Sequence, residues 1–270
     1  MTLTPEEDRA APVVLITGGA RRVGRATAIE LARRGFRLVI HANSSIDAAR
    51  ALTDDLRAGT HADPTDATAL AMDLSDDGAA GRLVEDAIGW RGRLDAVVSS
   101  AAIWPSKPLE EETAADARKC FDVNALAPFL LAQQAGLRMA EQPGGGVIIT
   151  LADIATRFDG QPYPDHAAYH LSKACLPGMT RALAVDLAKR NPRVRVNAVA
   201  PGPVVCGGVP GEPEESDDRV EHVRSAALVA TDDPTGCGAA EHVAHAIAML
   251  IENPFITGET VAVDGGGRLK

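Results

Sequence analysis

The chain is poor in aromatic residues, long apolar runs and positive charge, and each shortage excludes a class of protein. Aromatic residues make up only 3% of its 270 residues although 46% are hydrophobic, so the core is built from Ala, Val, Leu and Ile. A net charge of −10 without a basic patch argues against a nucleic-acid partner. No apolar run approaches the length of a membrane span. We therefore expect neither a nucleic-acid partner nor a membrane association.

Cysteines are few, and their spacing indicates no metal site. The four, Cys120, Cys175, Cys206 and Cys237, lack the short intervals that metal ligands need. Unpaired cysteines of this kind are typical of a reducing cytoplasm. The segment Met1–Ala11 is polar and acidic, which predicts that it is not a signal peptide. We therefore expect a cytoplasmic protein without a metal.

Apolar runs alternate with helical patterns along most of the chain. A single α/β domain over residues 1–270 suits this length and composition. Alternation of this kind implies right-handed crossovers and a parallel, doubly wound sheet with helices on both faces. The predicted strands are Val13–Thr17, Arg37–His41, Ala69–Asp73, Ala96–Ser99, Val147–Leu151, Val194–Val199 and Thr260–Val263. The predicted helices are Val23–Arg34, Asp47–Arg57, Arg82–Trp90, roughly Thr113–Glu141, Tyr169–Lys189 and Ala240–Ile251.

Two stretches interrupt this alternation. Pro201–Gly211 and Glu212–Asp218 are rich in Pro, Gly and acidic residues without a clear period. A domain linker would give this composition, but too little chain follows for a second domain, so we predict a lid over about residues 202–236. Pro177 lies inside a helical pattern and removes the hydrogen bond to the carbonyl of Lys173, which predicts a kink.

Tyr169 and Lys173 are four residues apart, a spacing that puts both on one face of a helix. An ammonium near a phenol stabilises the phenolate and lowers the pKa of the phenol. The pair therefore suggests acid/base chemistry, although Tyr-x-x-x-Lys also arises by chance.

The segment Thr17–Gly24 follows a strand and opens a helix, the context in which a glycine turn binds phosphate. Arg21 and Arg22 add attraction for anions. A merely tight strand–helix turn is the alternative. Together with the Tyr-Lys pair, the turn predicts proton transfer beside a dinucleotide.

The end of the second strand indicates which dinucleotide. An NAD site places an Asp or Glu there to bind the ribose 2′-hydroxyl, and this chain has His41 to Ser45 with no acid before Asp47. A phosphate on that hydroxyl would meet no repelling carboxylate, and Arg21, Ser44 and Ser45 could donate to it. We therefore predict NADP(H); the serines could also simply cap the next helix.

Asn124 is an amide inside a mostly apolar helix, where asparagine is disfavoured. A specific hydrogen-bonding role is one interpretation, and a satisfied structural asparagine is the other.

These residues together resemble the short-chain dehydrogenases/reductases over roughly Pro12 to Leu269. The order and spacing of the matching segments are jointly specific. The segments are the Thr17–Gly24 turn, Asp73, Leu94–Ala102, Asn124, the Tyr169/Lys173 pair, Asn197–Gly202, Ile256–Gly258 and Val263–Gly266.

The resemblance implies a Rossmann-type sheet, hydride transfer at C4 of a nicotinamide, and a small-molecule substrate. Related enzymes form homotetramers through the two long helices predicted above. Tyr169 would be the acid/base, Lys173 would contact both ribose and tyrosine, and Asn124 would position a water in the proton relay. The implied cofactor contacts are Gly18, Arg21, Arg22, Val23, Gly24, His41, Ser44, Ser45, Asp73 near the adenine, Leu74, Ser100, Ala101, Lys173, Pro201 and Gly202.

Several residues depart from the family pattern. Arg22 replaces the middle glycine of Thr-Gly-x-x-x-Gly-x-Gly, and Ser99-Ser100-Ala101-Ala102 replaces Asn-Asn-Ala-Gly. Asp153 stands where the catalytic serine is expected, 16 residues before Tyr169, so a short insertion lies between them.

Arginine in the turn and aspartate for serine occur together in the pteridine reductases, which this chain also resembles at His41 and Ser45. Trp104 falls where those enzymes stack an aromatic ring on the pterin, although covering the sheet edge is an equal alternative. Their arginine after the second strand is Ser44 here. Thr150 or Thr156 could supply the hydroxyl instead of Asp153.

The leading hypothesis is an NADPH-dependent reductase of a pterin or dihydropterin, with Asp153, Tyr169 and Trp104 as substrate contacts. An ionised carboxylate cannot donate to a carbonyl oxygen, so Asp153 favours an amino-bearing heterocycle. The alternatives are a carbonyl reductase of the 3-oxoacyl or sugar-ketone type and a non-catalytic dinucleotide sensor. Retention of Asn124, Tyr169 and Lys173 argues against the sensor.

Overall fold

The computed structural model describes residues 11–156, 160, 162–232 and 235–270 of the chain. Its strands are β1 (Val13–Thr17), β2 (Arg37–Ala42), β3 (Ala67–Ala71), β4 (Ala96–Ser99), β5 (Gly146–Leu151), β6 (Val194–Pro201) and β7 (Thr260–Val263). All are paired in parallel, in the order β3-β2-β1-β4-β5-β6-β7. The order reverses between β1 and β4, which opens a crevice at the carboxyl ends of these strands.

Helices pack on both faces of the sheet. They are α1 (Arg22–Arg33), α2 (Ile46–Ala58), α3 (Ala79–Arg91), α4 (Ala114–Phe121), α5 (Ala127–Glu141), α6 (Ala167–Lys173), α7 (Leu176–Ala188), α8 (Asp217–Ala226) and α9 (Ala240–Glu252). Helices α1, α2 and α9 share one core with Val14 and Ile16, whereas α3, α5 and α7 share the other with Val13 and Leu15. The predicted doubly wound α/β sheet is confirmed.

The central strands are buried on both faces, which explains why few aromatic residues suffice. Every residue of β1, β2 and β5 is buried. Each buried Leu, Ile or Val contributes roughly 1.5–3 kcal/mol relative to an exposed side chain. Alanines such as Ala28 and Ala248, both 0% exposed, leave room for α1 and α9 to lie close together over the sheet. The small-residue core therefore holds the crevice between two rigid layers.

Most predicted element boundaries are right to within one or two residues, and three differ in an informative way. Strand β3 is Ala67–Ala71 rather than Ala69–Asp73, because it pairs with β2 from Leu38 onwards. The long helix over Thr113–Glu141 contains a π-helical turn, Asp122–Leu126, between α4 and α5. The helix predicted over Tyr169–Lys189 is divided into α6 and α7.

The predicted kink at Pro177 is confirmed as this break. Helix α6 ends at Lys173, and α7 begins at Leu176 with Pro177 in its first turn. A proline in the first turn loses no helical hydrogen bond, since the N–H there has no partner within the helix. The break therefore ends the helix directly after the Tyr-Lys pair.

The segment after β6 contains a helix that the sequence did not predict. Helix α8 begins after Ser216, whose hydroxyl accepts from the N–H of Arg219 at 3.3 Å. Val223 anchors it in a small cluster with Val205 and Cys237. Its mostly charged sequence hides the apolar period on which the predictions relied. No helix among the described residues is long and apolar enough to cross a membrane.

Candidate active site

A cavity of about 840 Å³ lies along the carboxyl ends of the strands, in the crevice between β1 and β4 and beyond it. Of the site residues predicted from sequence, all except Asn124 line this cavity. They are Gly18, Arg21, Arg22, Val23, Gly24, His41, Ser44, Ser45, Asp73, Leu74, Ser100, Ala101, Trp104, Asp153, Tyr169, Lys173, Pro201 and Gly202.

The glycine turn between β1 and α1 is built on close backbone approach. Gly18 has φ +62°, and a Cβ there would lie 2.8 Å from the Cα of Ala101. A Cβ on Gly24 would overlap the carbonyl oxygen of Gly18. The hydroxyl of Thr17 accepts from the N–H groups of Ser100 and Ala101, each at 3.2 Å. The turn therefore stands open at the start of α1, where a helix N-terminus attracts phosphate.

His41 ties this turn to the neighbouring strands. Its Nδ1 accepts from the N–H of Gly18 at 3.4 Å, and its Nε2 lies 2.9 Å from the carbonyl oxygen of Met72. Burial lowers the pKa of His41, so the ring is neutral near pH 7. A neutral ring satisfies both contacts only with its proton on Nε2. The imidazole thus supports the phosphate turn from behind rather than acting as a cation.

The end of β2 carries no acid directed at the cavity. The hydroxyl of Ser45 makes no capping bond to α2, so the capping role considered for it is wrong. Asp47, the first acid after β2, has a 95% exposed side chain 3.5 Å from Arg50. Arg21, Arg22 and Lys119 are cations of the cavity wall. This part of the cavity is therefore lined by cations and serine hydroxyls, without an acid from the end of β2.

Arg22 joins the turn to the segment after β6. Its backbone is left-handed, φ +50°, at the position where the family turn has glycine. Its N–H donates to the carboxylate of Glu212 at 2.9 Å. Three residues further on, the guanidinium of Arg25 donates to the carbonyl of Pro210 and lies 3.7 Å from Asp55. The glycine turn and the start of α1 are thus joined to the segment after β6 at two points.

Asp153 and Tyr169 form the shortest side-chain contact at the centre of the cavity. The phenol of Tyr169 donates to Oδ2 of Asp153 at 2.6 Å. The other carboxylate oxygen accepts from the N–H of Ala155 at 2.8 Å, which fixes the rotamer. Lys173, one helical turn after Tyr169, donates from Nζ to the carbonyl of Leu151 at 2.6 Å. Helix α6 and the end of β5 therefore bring phenol, carboxylate and ammonium to one place.

The charges of this group differ from the expectation for a Tyr-Lys pair. Burial, the charge of Asp153 and its hydrogen bond raise the pKa of Tyr169 well above its usual range. The predicted lowering by Lys173 is therefore wrong for this arrangement, in which the ammonium bonds to Leu151. Burial lowers the pKa of Lys173 from 10.5 to about 8, against the opposing effect of Asp153. The phenol thus holds its proton at neutral pH.

The two threonines considered as substitutes for Asp153 are engaged elsewhere. The hydroxyl of Thr156 donates to the backbone carbonyl of Asp153 at 2.9 Å, and its side chain lines a separate cavity. Thr150 is fully buried, 3.4 Å from the hydroxyl of Thr180. The structure therefore places the carboxylate of Asp153, and neither hydroxyl, beside Tyr169.

Asn124 lies behind the cavity wall, fully buried in the π-helical turn. Its amide oxygen accepts from the N–H of Ile103 at 2.8 Å. Its amide nitrogen donates to the carbonyl of Ile103 at 2.9 Å and to the hydroxyl of Ser172 at 3.1 Å. Asn124 thus holds the loop that runs from β4 to Trp104 against α6. The hydrogen-bonding groups of Asn124 are thus satisfied as in a structural asparagine, and its role in positioning a water remains a prediction.

Aromatic rings form one wall beside Tyr169, and sequence reasoning found only part of it. Trp104 stacks on His166, with ring centroids 4.7 Å apart and planes at 15°. Tyr163 meets His166 edge-on at 6.4 Å and meets His170 at 5.5 Å. From sequence, His166 and His170 are expected to be solvated or satisfied in the core rather than catalytic, and the structure places His166 in this wall. Tyr163 was missed because its segment has no period, although the two tyrosines of this tyrosine-poor chain stand six residues apart. The wall is suited to a flat ring system.

The segment after β6 supplies the opposite wall, whose residues the sequence did not single out. They are Pro203, Val204, Cys206, Arg219 and His222. Among the described residues, no group of three or more His, Cys, Asp or Glu side chains is arranged to hold a metal ion.

Comparison with known proteins agrees with this geometry. The family model described as enoyl-(acyl carrier protein) reductase matches residues 18–267. The hydroxynaphthalene reductase-like protein Arp2 of Metarhizium brunneum (strain ARSEF 3297) is 35% identical over 223 residues, which cover 78% of this chain and 79% of that protein. The short-chain dehydrogenase/reductase GME11373 of Pestalotiopsis microspora is 31% identical over 268 residues, 94% of each chain.

A solved structure shows the same fold over the whole sheet. A dehydrogenase/reductase from Sinorhizobium meliloti 1021 is 31% identical and superposes with a TM-score of 0.80, covering 96% of this chain and 95% of that one. The chain therefore belongs to the short-chain dehydrogenase/reductase family and is an oxidoreductase. Members of this family bind a nicotinamide dinucleotide, as the sequence resemblance implied.

Proposed function

We propose that this enzyme is an NADPH-dependent reductase of a flat bicyclic substrate, with pterins and dihydropterins as the leading class. The observation that carries the proposal is the carboxylate of Asp153 at 2.6 Å from the phenol of Tyr169, next to an aromatic wall. A serine in that place would donate to a carbonyl oxygen, whereas a carboxylate can only accept. The site is therefore suited to a substrate that presents N–H groups.

The cavity fits a dinucleotide at its glycine-turn end. Gly18 and Gly24 allow the turn to pack closely against Ala101 and against itself, and the turn opens α1, whose N-terminal N–H groups attract a pyrophosphate. Arg21 and Arg22 lie beside it, and Ser44 follows β2 where an acid would repel a 2′-phosphate. These residues favour NADPH over NADH. When bound, the dinucleotide supplies the hydride.

Tyr169 is the proton donor in this proposal. Its raised pKa keeps the phenol protonated throughout the neutral range, so it has a proton to give when negative charge develops on the substrate. Lys173 is buried and carries its charge below about pH 8, so that its ammonium balances the charge of Asp153 beside Tyr169. Once the hydroxyl of Tyr169 donates to the substrate instead of to Asp153, the carboxylate of Asp153 accepts a hydrogen bond from an N–H of the substrate.

A second candidate is a hydroxylated naphthalene or its keto tautomer. Relatives whose names say hydroxynaphthalene reductase-like are up to 35% identical to this chain, and the stacked Trp104 and His166 suit a naphthalene as well as a pterin. Simple 3-oxoacyl or sugar ketones are less suited, since they present neither N–H groups to Asp153 nor a flat ring to the aromatic wall. A sensor without catalysis would not need the Asp153, Tyr169 and Lys173 group.

Four cysteines without disulfides are in keeping with a cytoplasmic enzyme.

The test is a panel of four substrates with NADPH and with NADH: a dihydropterin, a tetralone, a 3-oxoacyl thioester and a sugar ketone. We expect kcat/KM with NADPH to be highest for one of the two bicyclic compounds. Turnover of the 3-oxoacyl thioester or the sugar ketone alone would overturn the proposed substrate class. NADPH binding without any turnover would support the sensor instead.

A further inference from the structure

Arg219 is a cation of the lid that faces the substrate end of the cavity. It lies on α8 and lines the cavity together with Asp153, Tyr163 and Tyr169. Its guanidinium donates from one nitrogen to the carbonyl of Val204 at 3.2 Å, so that its position above the cavity is fixed. The lid therefore presents a positive charge to whatever binds there.

This guanidinium has no carboxylate of the described residues within ion-pair distance. Arg224, one turn and a residue further along the same helix, is bonded to Glu221 at 2.8 Å and serves as the contrast. Arg219 instead bonds to a neutral carbonyl, which leaves its remaining N–H groups for a ligand. A half-buried arginine without a carboxylate partner is expected where a ligand brings the negative charge.

Arg219 and Asp153 both act on Tyr163, with opposite sign. Tyr163 lines the same cavity; Asp153 raises its pKa and Arg219 lowers it, although burial dominates and raises the pKa overall. The substrate space is thus lined by both an accepting carboxylate and a cation. A flat molecule that contacts both is oriented by them.

We infer that Arg219 is a specificity-determining residue that binds an anionic substituent, a carboxylate or an ionised phenol, on the ring system of the substrate. The inference rests on the proposed reduction of a bicyclic compound and narrows its substrate class. The ring meets the aromatic wall, its reducible end lies toward Tyr169, and its anionic group lies toward α8. An uncharged substrate of the same shape would lack the second contact.

Matched ligands test this without depending on turnover. The equilibrium dissociation constants of 2-naphthoate and 2-naphthamide, which have nearly the same shape, are measured by calorimetry on the enzyme saturated with NADP⁺. Arg219→Gln is expected to weaken naphthoate binding by roughly five- to tenfold and leave naphthamide unchanged, because a charge-assisted hydrogen bond is lost. Arg219→Lys should recover part of the preference. Arg224→Gln removes the same charge outside the cavity and should leave the ratio of the two constants unchanged.

The same variants are then assayed with pterin-6-carboxylate and 6-methylpterin. Arg219→Gln should raise KM for the carboxylate with little effect on kcat. Equal effects on charged and neutral ligands, or no effect on either, would overturn the role of Arg219. If no bicyclic compound is reduced while Arg219→Gln still weakens naphthoate selectively, the proposed reaction fails and the anion-binding role stands.

Discussion

The N–H of Arg22 donates to the carboxylate of Glu212 across 190 residues of sequence, at 2.9 Å. This bond connects the glycine turn with the segment after β6. Arg22 holds the left-handed conformation that the family assigns to glycine, φ +50°, and such a conformation costs about 1–2 kcal/mol for a residue with a Cβ. The carboxylate of Glu212 stabilises it by accepting from the N–H that this conformation directs toward the lid.

Glu212→Ala is therefore expected to lower the free energy of unfolding by about 1 kcal/mol and to weaken dinucleotide binding by roughly three- to tenfold. Thermal unfolding and a cofactor titration measure the two effects. Glu214→Ala, which removes an exposed acid two residues away, is the matched control and should change neither. Arg22→Gly keeps the N–H that donates to Glu212, so Glu212→Ala should cost about the same in that background. A loss confined to the wild-type background would show that Glu212 acts on the side chain of Arg22 and not on its N–H.

Asp153 is predicted to set the preference between heterocycles and ketones. Asp153→Ser restores the hydroxyl donor of the family and should reduce kcat/KM for a pterin by at least about tenfold while sparing a simple ketone. Asp153→Ala should lose the pterin activity without that compensation, and Tyr169→Phe should abolish both. An unchanged ratio of the two kcat/KM values in Asp153→Ser would remove Asp153 from the site and return Thr156 to consideration.

The buried Lys173 makes the stability of the enzyme depend on alkaline pH in a definite direction. Its pKa falls from 10.5 to about 8 on folding, so the unfolded chain binds more protons between these values. The free energy of unfolding must then rise between about pH 8 and pH 10.5, by about 3 kcal/mol in total. Below pH 8 the cost of burying the charged Lys173 is fully present.

Lys173→Met removes this dependence. Between pH 7 and pH 10, the unfolding free energy of the wild type should rise by about 2–3 kcal/mol relative to that of the variant. Chemical denaturation at both pH values measures it. Lys189→Met, at an exposed position, is the control. The raised pKa of Tyr169 acts in the opposite sense only above about pH 10, where an unfolded tyrosine begins to ionise. A pH-independent difference would mean that Lys173 is not buried in its charged form.

NADPH is predicted to bind more tightly than NADH. Each charge-assisted contact to the extra phosphate contributes roughly 1.5–3 kcal/mol. Titration of both cofactors by nicotinamide fluorescence checks the prediction. Arg21→Ala should narrow the difference in affinity between NADPH and NADH. Ser44→Asp, which introduces an acid just after β2, should reverse it. Equal affinities for the wild type would refute the assignment.

A homotetramer is predicted, with a dimer as the fallback. Helices α4 to α7 expose apolar side chains, with exposed fractions of 44% for Phe121, 36% for Leu137, 62% for Leu171 and 56% for Val185. Leu171→Asp should dissociate the assembly, whereas Leu109→Asp, at an exposed position outside these helices, should not. Light scattering at micromolar concentration measures the mass, and a monomeric wild type would end this hypothesis.

The sheet and the cofactor half of the cavity were predictable because they depend on local pattern. Strands β1, β4 and β7 have the bounds that their short apolar runs predict, and a glycine turn is visible wherever it follows such a strand. The π-helical turn at Asn124 was not predictable, since an extra residue in a helix leaves no distinct composition. The proximity of Asp153 to Tyr169 depended on how the insertion between them folds.

The substrate half was predicted poorly because it is assembled from distant segments. Glu212 and Arg219 belong to an acidic segment. From its sequence, every charged side chain of the segment is expected to face solvent, and only the fold of the segment over α1 shows otherwise. The lowering of the Tyr169 pKa that the Tyr-Lys spacing predicts is absent, because the ammonium of Lys173 bonds to Leu151, whereas the raising expected from an adjacent Asp153 is present. Burial and a neighbouring carboxylate then dominate, and neither is visible in a spacing of four residues.

The scarcity of aromatic residues gives the enzyme a natural optical probe. Both of its tyrosines, Tyr163 and Tyr169, and one of its two tryptophans, Trp104, line the same cavity. The other tryptophan, Trp90, lies on α3 beneath the guanidinium of Arg91 at 4.6 Å. Tyrosine ionisation seen in the ultraviolet spectrum of the whole protein is therefore ionisation inside the cavity. A change in emission when a ligand enters reports from Trp104, so that the unlabelled protein records events at its own catalytic centre.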